Sequence, residues 1–224
     1  MSAAELATWL GRSVVFSGLD AAELRRLSGI AREIKLAPGD ILFSQGEESD
    51  GLYIVVSGIV RIYLTADDGR EATINLLEDG EMIGEIAMID GLPRSAGAAA
   101  LTEAKLVFIP HVPFCTLLDS STKLARQMML MLCERVRAAN SQVDQAIFHD
   151  LRYRLLVLLR QIAVLHGRVE KEMAVVDLDV SQGMLAQMLG ASREAVNKQL
   201  RALAKEGRIV MDGRQIQVMK QPRI

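Results

Sequence analysis

The sequence predicts an α+β chain in three parts. A β-rich N-terminal domain of sandwich, jelly-roll or barrel type is followed by one long helix. A small C-terminal unit, two short helices joined by a tight turn with a hairpin behind them, completes the chain. Three observations carry this. Short β-type runs recur between Gly and Asp turns up to residue 109, an apolar seam of alternating three- and four-residue steps runs through residues 129–146, and Ser181 and Ser192 each open a helix that closes on Gly190 or Gly207.

The first part spans residues 1–118. Residues 3–10 and 20–31 read as helices, and Asp20-Ala21-Ala22-Glu23 has the spacing of a capping box ahead of Leu24 and Leu27. The pattern changes at Glu33. Runs at 40–43, 51–57, 59–64, 71–77, 97–102 and 104–109 are separated by Pro38-Gly39-Asp40, Gly46, Gly51, Gly58, Asp68-Gly69 and Asp79-Gly80. Asp68-Gly69 between two alternating runs signals a hairpin.

The second part, residues 119–149, belongs to a helix expected over about 113–147. Met129, Leu132, Val136, Ala139, Val143 and Ala146 form an a/d seam. The seam packs either on its own β domain or on a second copy. A parallel homodimer is preferred, because residues 124–147 are too long for one small sandwich to cover. His149-Asp150 is a candidate break.

The third part spans 150–224. Residues 151–165 read as an apolar helix ended by Gly167, with a short strand at about 174–177. Ser181 caps a helix through Leu189, Gly190 permits the turn, and Ser192 caps a second helix from Arg193 to Glu206. Val210-Met211, Asp212-Gly213 and Ile216 to Met219 read as a wing. This is the helix-turn-helix arrangement of DNA binders, whose second helix enters the major groove. Its exposed face carries Arg193, Glu194, Asn197 and Lys198, while Ala195, Val196, Leu200 and Leu203 can turn inward. Arg can bond guanine and Glu can accept from cytosine. Arg201, Lys205, Arg208 and Arg214 are placed for phosphates, and helix N-termini add donors. Taken singly, Arg193 also reads as a surface charge and Glu194 as a first-turn dipole charge.

Composition narrows the classes. Half of the 224 residues are hydrophobic and 24% are charged, which excludes a disordered chain. No apolar run approaches the roughly 18 residues of a membrane helix, and Met1 to Leu10 lacks a signal-peptide pattern. Two cysteines, Cys115 and Cys133, build no disulfide framework and suit a reducing cytoplasm. Charge is uneven: residues 1–120 carry −9, residues 121–180 +2 and residues 181–224 +5. A basic tail on an acidic body points to nucleic acid as partner of the tail, with a solvated face as the alternative. No Ser–His–Asp spacing, metal cluster or P-loop glycine run suggests an enzyme.

Residues 84–96 read Gly-Glu-Ile-Ala-Met-Ile-Asp-Gly-Leu-Pro-Arg-Ser-Ala. A single-turn helix after Gly84 would point backbone N–H groups outward from its N-terminus, which makes an anion site. Arg94 can pair with a phosphate by two N–H bonds, Ser95 can add a hydroxyl, and Glu85 can accept from ribose. A turn closed by a Glu85–Arg94 salt bridge is the alternative.

These segments together resemble a known family, the bacterial transcription regulators typified by the cyclic-AMP receptor protein and the fumarate–nitrate reduction regulator. The resemblance covers nearly the whole chain. Gly84-Glu85-Ile86-Ala87 with Pro93-Arg94-Ser95-Ala96 is similar to the phosphate-binding cassette of the cyclic-nucleotide-binding branch. Ala191-Ser192-Arg193-Glu194-Ala195-Val196 is similar to the recognition helix, Phe148-His149-Asp150-Leu151 to the hinge, and Val55-Val56-Ser57-Gly58 fits the β-roll. The resemblance implies a double-stranded β-helix (jelly-roll) sensor of cyclic-nucleotide-binding type, a dimerisation helix and a winged helix-turn-helix. It implies that Glu85 holds the ribose 2′-hydroxyl and that Arg94, Ser95 and the amides of Ile86 and Ala87 hold the cyclic phosphate. Arg193, Glu194 and Lys198 match base-reading positions. Lys198 departs from the usual arginine, a point donor in place of a fork. At the adenine positions stand Ala139 and Asn140. Asn140 can bond adenine or, flipped, guanine, and can be supplied to the partner subunit's nucleotide, so cAMP and cGMP both stay open. The family's other sensors use haem, iron–sulfur clusters or oxo-acids. Two cysteines cannot hold an iron–sulfur cluster and His111, His149 and His166 are scattered, so no haem, cluster or metal is expected.

The expectation is a cytoplasmic, homodimeric, cyclic-nucleotide-responsive regulator of double-stranded DNA with a palindromic site, with RNA polymerase as a further partner and no membrane. The rival readings are a regulator of the same fold with another effector or none, and a cyclic-nucleotide-binding regulatory subunit without DNA binding.

Overall fold

A computed structural model describes residues 3–11, 13, 15–170, 173–176, 181–212 and 215–219, the side chains of 146, 165–170, 173–176, 212 and 215 excepted. The chain forms two compact units. Met1–Thr65 and Ile74–Ala139 make up the first; Ala66–Thr73 and Asn140–Ile224 make up the second.

The first unit opens with α1 (Ala3–Leu10) and α2 (Ala21–Ile30). The expected capping box is present: Asp20 Oδ1 accepts from the amides of Ala22 and Glu23 at 2.7 and 2.8 Å, and Glu23 Oε2 accepts from Asp20 N at 2.7 Å. Eight strands follow along the chain, all within the first unit except the Glu71–Thr73 end of β5: β1 (Arg32–Leu36), β2 (Ile41–Phe43), β3 (Gly51–Ser57), β4 (Val60–Thr65), β5 (Glu71–Leu77), β6 (Met82–Ile83), β7 (Gly97–Ala100) and β8 (Ala104–Pro110). They form two four-stranded sheets, ordered β1-β8-β3-β6 and β2-β7-β4-β5. Every expected run is a strand. β1 and β6 add to them, β6 with too few residues to show a period.

The side-chain alternation of a strand explains the core. On β3 and β8, Tyr53, Val55, Leu106 and Phe108 enter a core with Phe43, Val60, Leu77 and Ile83 from strands of both sheets. Leu52, Ile54, Val107 and Ile109 face the other way, onto Leu10, Phe16, Leu27, Phe114 and Leu124. Both faces of these strands are covered, hence their unbroken apolar runs. Between β6 and β7 lies α3 (Glu85–Asp90), a six-residue helix that starts after Gly84 as expected and runs longer than the single turn expected.

The single helix expected at 113–147 is corrected. It is two helices, α4 (His111–Ser120) and α5 (Thr122–Phe148), broken at Ser121. Ser121 has extended backbone, and its Oγ and carbonyl accept from the amides of Leu124 and Ala125 at 3.4 and 3.0 Å. It thus acts as a cap that starts α5 afresh, inside a continuous apolar pattern.

The second unit contains α6 (Leu151–His166), β9 (Gly167–Glu170), β10 (Met173–Val176), α7 (Gln182–Leu189), α8 (Arg193–Lys205), β11 (Ile209–Asp212) and β12 (Gln215–Met219). Its sheet runs β11-β12-β10-β9 and is antiparallel throughout. Asp150 Oδ1 caps α6 by accepting from Tyr153 N at 2.9 Å. Residue 177 of the expected strand, Gly213 of the wing turn, Arg214 and the side chain of Ala146 lie outside the described residues.

Candidate functional sites

The cassette lies between β6 and β7. Gly84 precedes α3 with φ +85°, and a Cβ there would stand 2.2 Å from Arg94 Nη1. Only glycine meets both demands. Arg94 is anchored by its own backbone, donating its amide to Glu47 O and accepting from Gly46 N, both at 2.8 Å. Its side chain is 2% exposed. Nη1 donates to Gly84 O at 3.0 Å and Nη2 to Gly51 O at 2.8 Å, with Asp50 Oδ1 at 3.7 Å. The guanidinium lies over the Phe43 ring, 4.2 Å from its centroid. Burial lowers its pKa, offset in part by the charges of Tyr53, Asp50, Glu47 and Glu85.

Glu85 is 1% exposed. It pairs with Arg135 on α5, and not with Arg94: Arg135 Nη1 donates to Glu85 Oε1 and Nη2 to the Met82 carbonyl. Burial raises the pKa of Glu85, while Arg135 pulls it down. Two buried atoms at this site have no partner, Glu85 Oε2 and Arg94 Nε. One is an acceptor lacking a donor and the other a donor lacking an acceptor. A ligand bearing a hydroxyl and an anionic oxygen supplies both.

The other expected residues fall as follows. Ala87 is buried, whereas Ile86 and Ser95 are exposed. Ala139 and Asn140 are exposed on α5, the one belonging to the first unit and the other to the second. Sequence reasoning does not single out Arg135. Its signal is position: Leu124, Met128 and Met131 form an inward stripe at helical spacing, and Arg135 is its next member.

The second site is the α7–turn–α8 unit. Ser181 Oγ accepts from Met184 N at 3.1 Å and Ser192 Oγ from Ala195 N at 3.2 Å. Gly190 makes the turn with φ +60°. Val196, Leu200 and Leu203 are buried; Arg193, Glu194, Lys198 and Arg201 are exposed, and Asn197 is half-buried. α8 therefore presents the expected polar face, with Lys205 and Arg208 also exposed. Arg154 Nη2 donates to Leu189 O at 2.8 Å, tying α6 to the end of α7.

A β-roll with a half-satisfied buried Arg and Glu, together with a helix-turn-helix followed by a wing, defines a ligand-sensing DNA-binding regulator. Residues 33–121 match the cyclic nucleotide-binding domain family, and residues 153–223 the Crp-like helix-turn-helix domain. The chain is 30% identical over 215 residues to a CRP-like cAMP-activated global transcriptional regulator of Mycobacterium tuberculosis, covering 96% of both chains. It is 32% identical over 199 residues to a cyclic AMP receptor protein of Thermus thermophilus, covering 87% of both. Its fold is similar to that of the c-di-GMP responsive global regulator CLP of Xanthomonas campestris, with TM-score 0.78 at 22% identity, covering 90% of this chain and 100% of that one. The chain belongs to the cyclic-AMP receptor protein/fumarate–nitrate reduction regulator family and is a cyclic-nucleotide-responsive, DNA-binding transcription regulator. Among the described residues no helix is long and apolar enough to cross a membrane.

Proposed function

We propose that the effector is cyclic AMP, with cyclic GMP as the competing ligand, and that it binds the Glu85–Arg94 cassette of a sensor domain spanning residues 1–118. The pair of unpartnered buried atoms carries this reading. Arg94, Ser95 and the amides of Ile86 and Ala87 hold the cyclic phosphate, beside Gly84, whose missing Cβ leaves room for the guanidinium. Glu85 takes the ribose 2′-hydroxyl. In doing so it shares a carboxylate now engaged by Arg135, so binding is felt on α5. Ala139 and Asn140 lie along the base, and Asn140 selects its edge.

Residues 119–149 form the dimerisation helix and hinge, and residues 150–224 the DNA-binding domain. The protein acts in the cytoplasm as a homodimer paired through α5, and it catalyses no reaction. Two α8 helices about 34 Å apart read a palindromic site. Arg193, Glu194 and Lys198 contact base edges, Asn197 and Arg201 support them, and the helices capped by Ser181 and Ser192 turn their N-termini to phosphates. RNA polymerase is the further partner of the bound dimer.

Calorimetry of the full-length protein with cyclic AMP and, separately, cyclic GMP tests the assignment. One site per subunit for cyclic AMP, with weaker cyclic GMP, is expected. Binding of neither overturns it. The Arg135–Glu85 pair favours a second reading, a regulator whose own arginine fills the cassette and that binds DNA without effector. Equal operator binding with and without nucleotide identifies that case.

A further inference from the structure

A cavity of about 760 Å³ opens in the first unit between the N-terminal segment, the β5–β6 turn and α5. Its volume is in the range of small-molecule sites. It stands apart from the dimer seam. The α5 residues lining it include Gln127, Leu130, Glu134 and Ala138. At about 100° per residue these lie opposite Met129, Leu132, Val136, Ala139 and Val143. A second copy paired along the seam therefore leaves the cavity open.

The lining has a definite chemistry. Trp9 forms an aromatic wall, and Val15, Leu130 and Met131 supply apolar surface. Three carboxylates line it, Asp79, Glu81 and Glu134, against one guanidinium, Arg135. That guanidinium is already committed to Glu85 and the Met82 carbonyl. Glu81 accepts from Glu78 N at 2.8 Å, and among the described residues no cation pairs with Asp79 or Glu134. Nor do the carboxylates converge: among the described residues no group of three could hold a metal ion. Separated negative charges, apolar surface between them and an indole face suit several ammonium groups joined by methylene chains.

We propose that this cavity is a second ligand site, for an aliphatic polyamine. The ammonium groups pair with Asp79, Glu81 and Glu134, and the methylenes lie on Leu130 and Met131 against Trp9. The site requires neither nucleotide nor DNA.

Trp9 is the only tryptophan of the chain, so all tryptophan fluorescence comes from a residue lining this cavity. The full-length protein, without nucleotide or DNA, is titrated with spermidine at constant ionic strength. A saturable change with one site per subunit is expected. The Asp79→Asn/Glu134→Gln double variant should bind at least about tenfold more weakly, since charge-assisted bonds are removed. Butylamine, with one ammonium, should also bind at least about tenfold more weakly to the unaltered protein, a comparison that needs no variant. A change that fails to saturate, an unaffected double variant or equal binding of butylamine and spermidine overturns the proposal. Loss of cyclic AMP binding in a cassette variant that still binds spermidine separates this site from the nucleotide site.

Discussion

Arg94 donates to two carbonyls and keeps a third donor unused. A side chain held this firmly needs little ordering when a phosphate arrives. Arg94→Ala should therefore weaken cyclic AMP binding by roughly a hundredfold, the equivalent of two charge-assisted hydrogen bonds, as calorimetry would register. Gly84→Ala should do similar harm, because its Cβ meets the same guanidinium at 2.2 Å. Glu85 gives a pH prediction. Burial lifts its pKa above the ordinary 4.5, so the folded chain keeps this proton to higher pH than the unfolded chain. Its contribution to stability therefore declines as pH rises from about 4.5 and levels off above the folded value. Glu85→Gln should remove that slope from urea midpoints measured between about pH 4 and pH 8. The cassette was legible because its glycine, acid and arginine lie within eleven consecutive residues, 84–94. The Arg135–Glu85 pair was not, because its members are fifty positions apart and only the tertiary fold joins them.

Capping decides the helices on either side of the DNA-binding turn. Ser192→Ala removes the oxygen that accepts from Ala195 N and should cost about 1 kcal/mol, read as a lowered thermal midpoint. Local signals of this kind, Asp20, Ser181 and Ser192, act within a few residues, so the sequence displayed them. Ser121 caps just as locally, yet apolar residues continue on both sides of it, and the periodicity masked the break. β6 escaped notice for another reason: two residues, Met82 and Ile83, have no pattern of their own and pair with β3 only once the roll has closed. On α5 the seam residues Met129, Val136 and Val143 are 59%, 60% and 56% exposed in the single chain. Such a stripe calls for a partner helix. Val136→Asp combined with Val143→Asp should turn the proposed dimer into a monomer in sedimentation velocity, with the β-roll still able to bind nucleotide.

Across the whole molecule charge is divided by function. The acidic residues 1–120 are repelled by a polyanion, while residues 181–224 carry +5 and the exposed α8 cations. Operator affinity should fall steeply with salt, by about 0.9 in log–log slope for each phosphate neutralised. Arg201→Ala should reduce that slope by about one for each phosphate the side chain no longer neutralises, measured by anisotropy over a salt series. The β-roll strands and the helices that follow them were readable because each kind of element has its own period, two in the strands and near 3.6 in the helices. How firmly Arg135 grips Glu85 has a consequence at this scale too. A nucleotide hydroxyl must contend with a bond already made, so the concentration at which the regulator responds is a difference between two affinities. Evolution can then move the set point by adjusting residue 135, through a lysine for example, and leave untouched the groups that recognise the messenger.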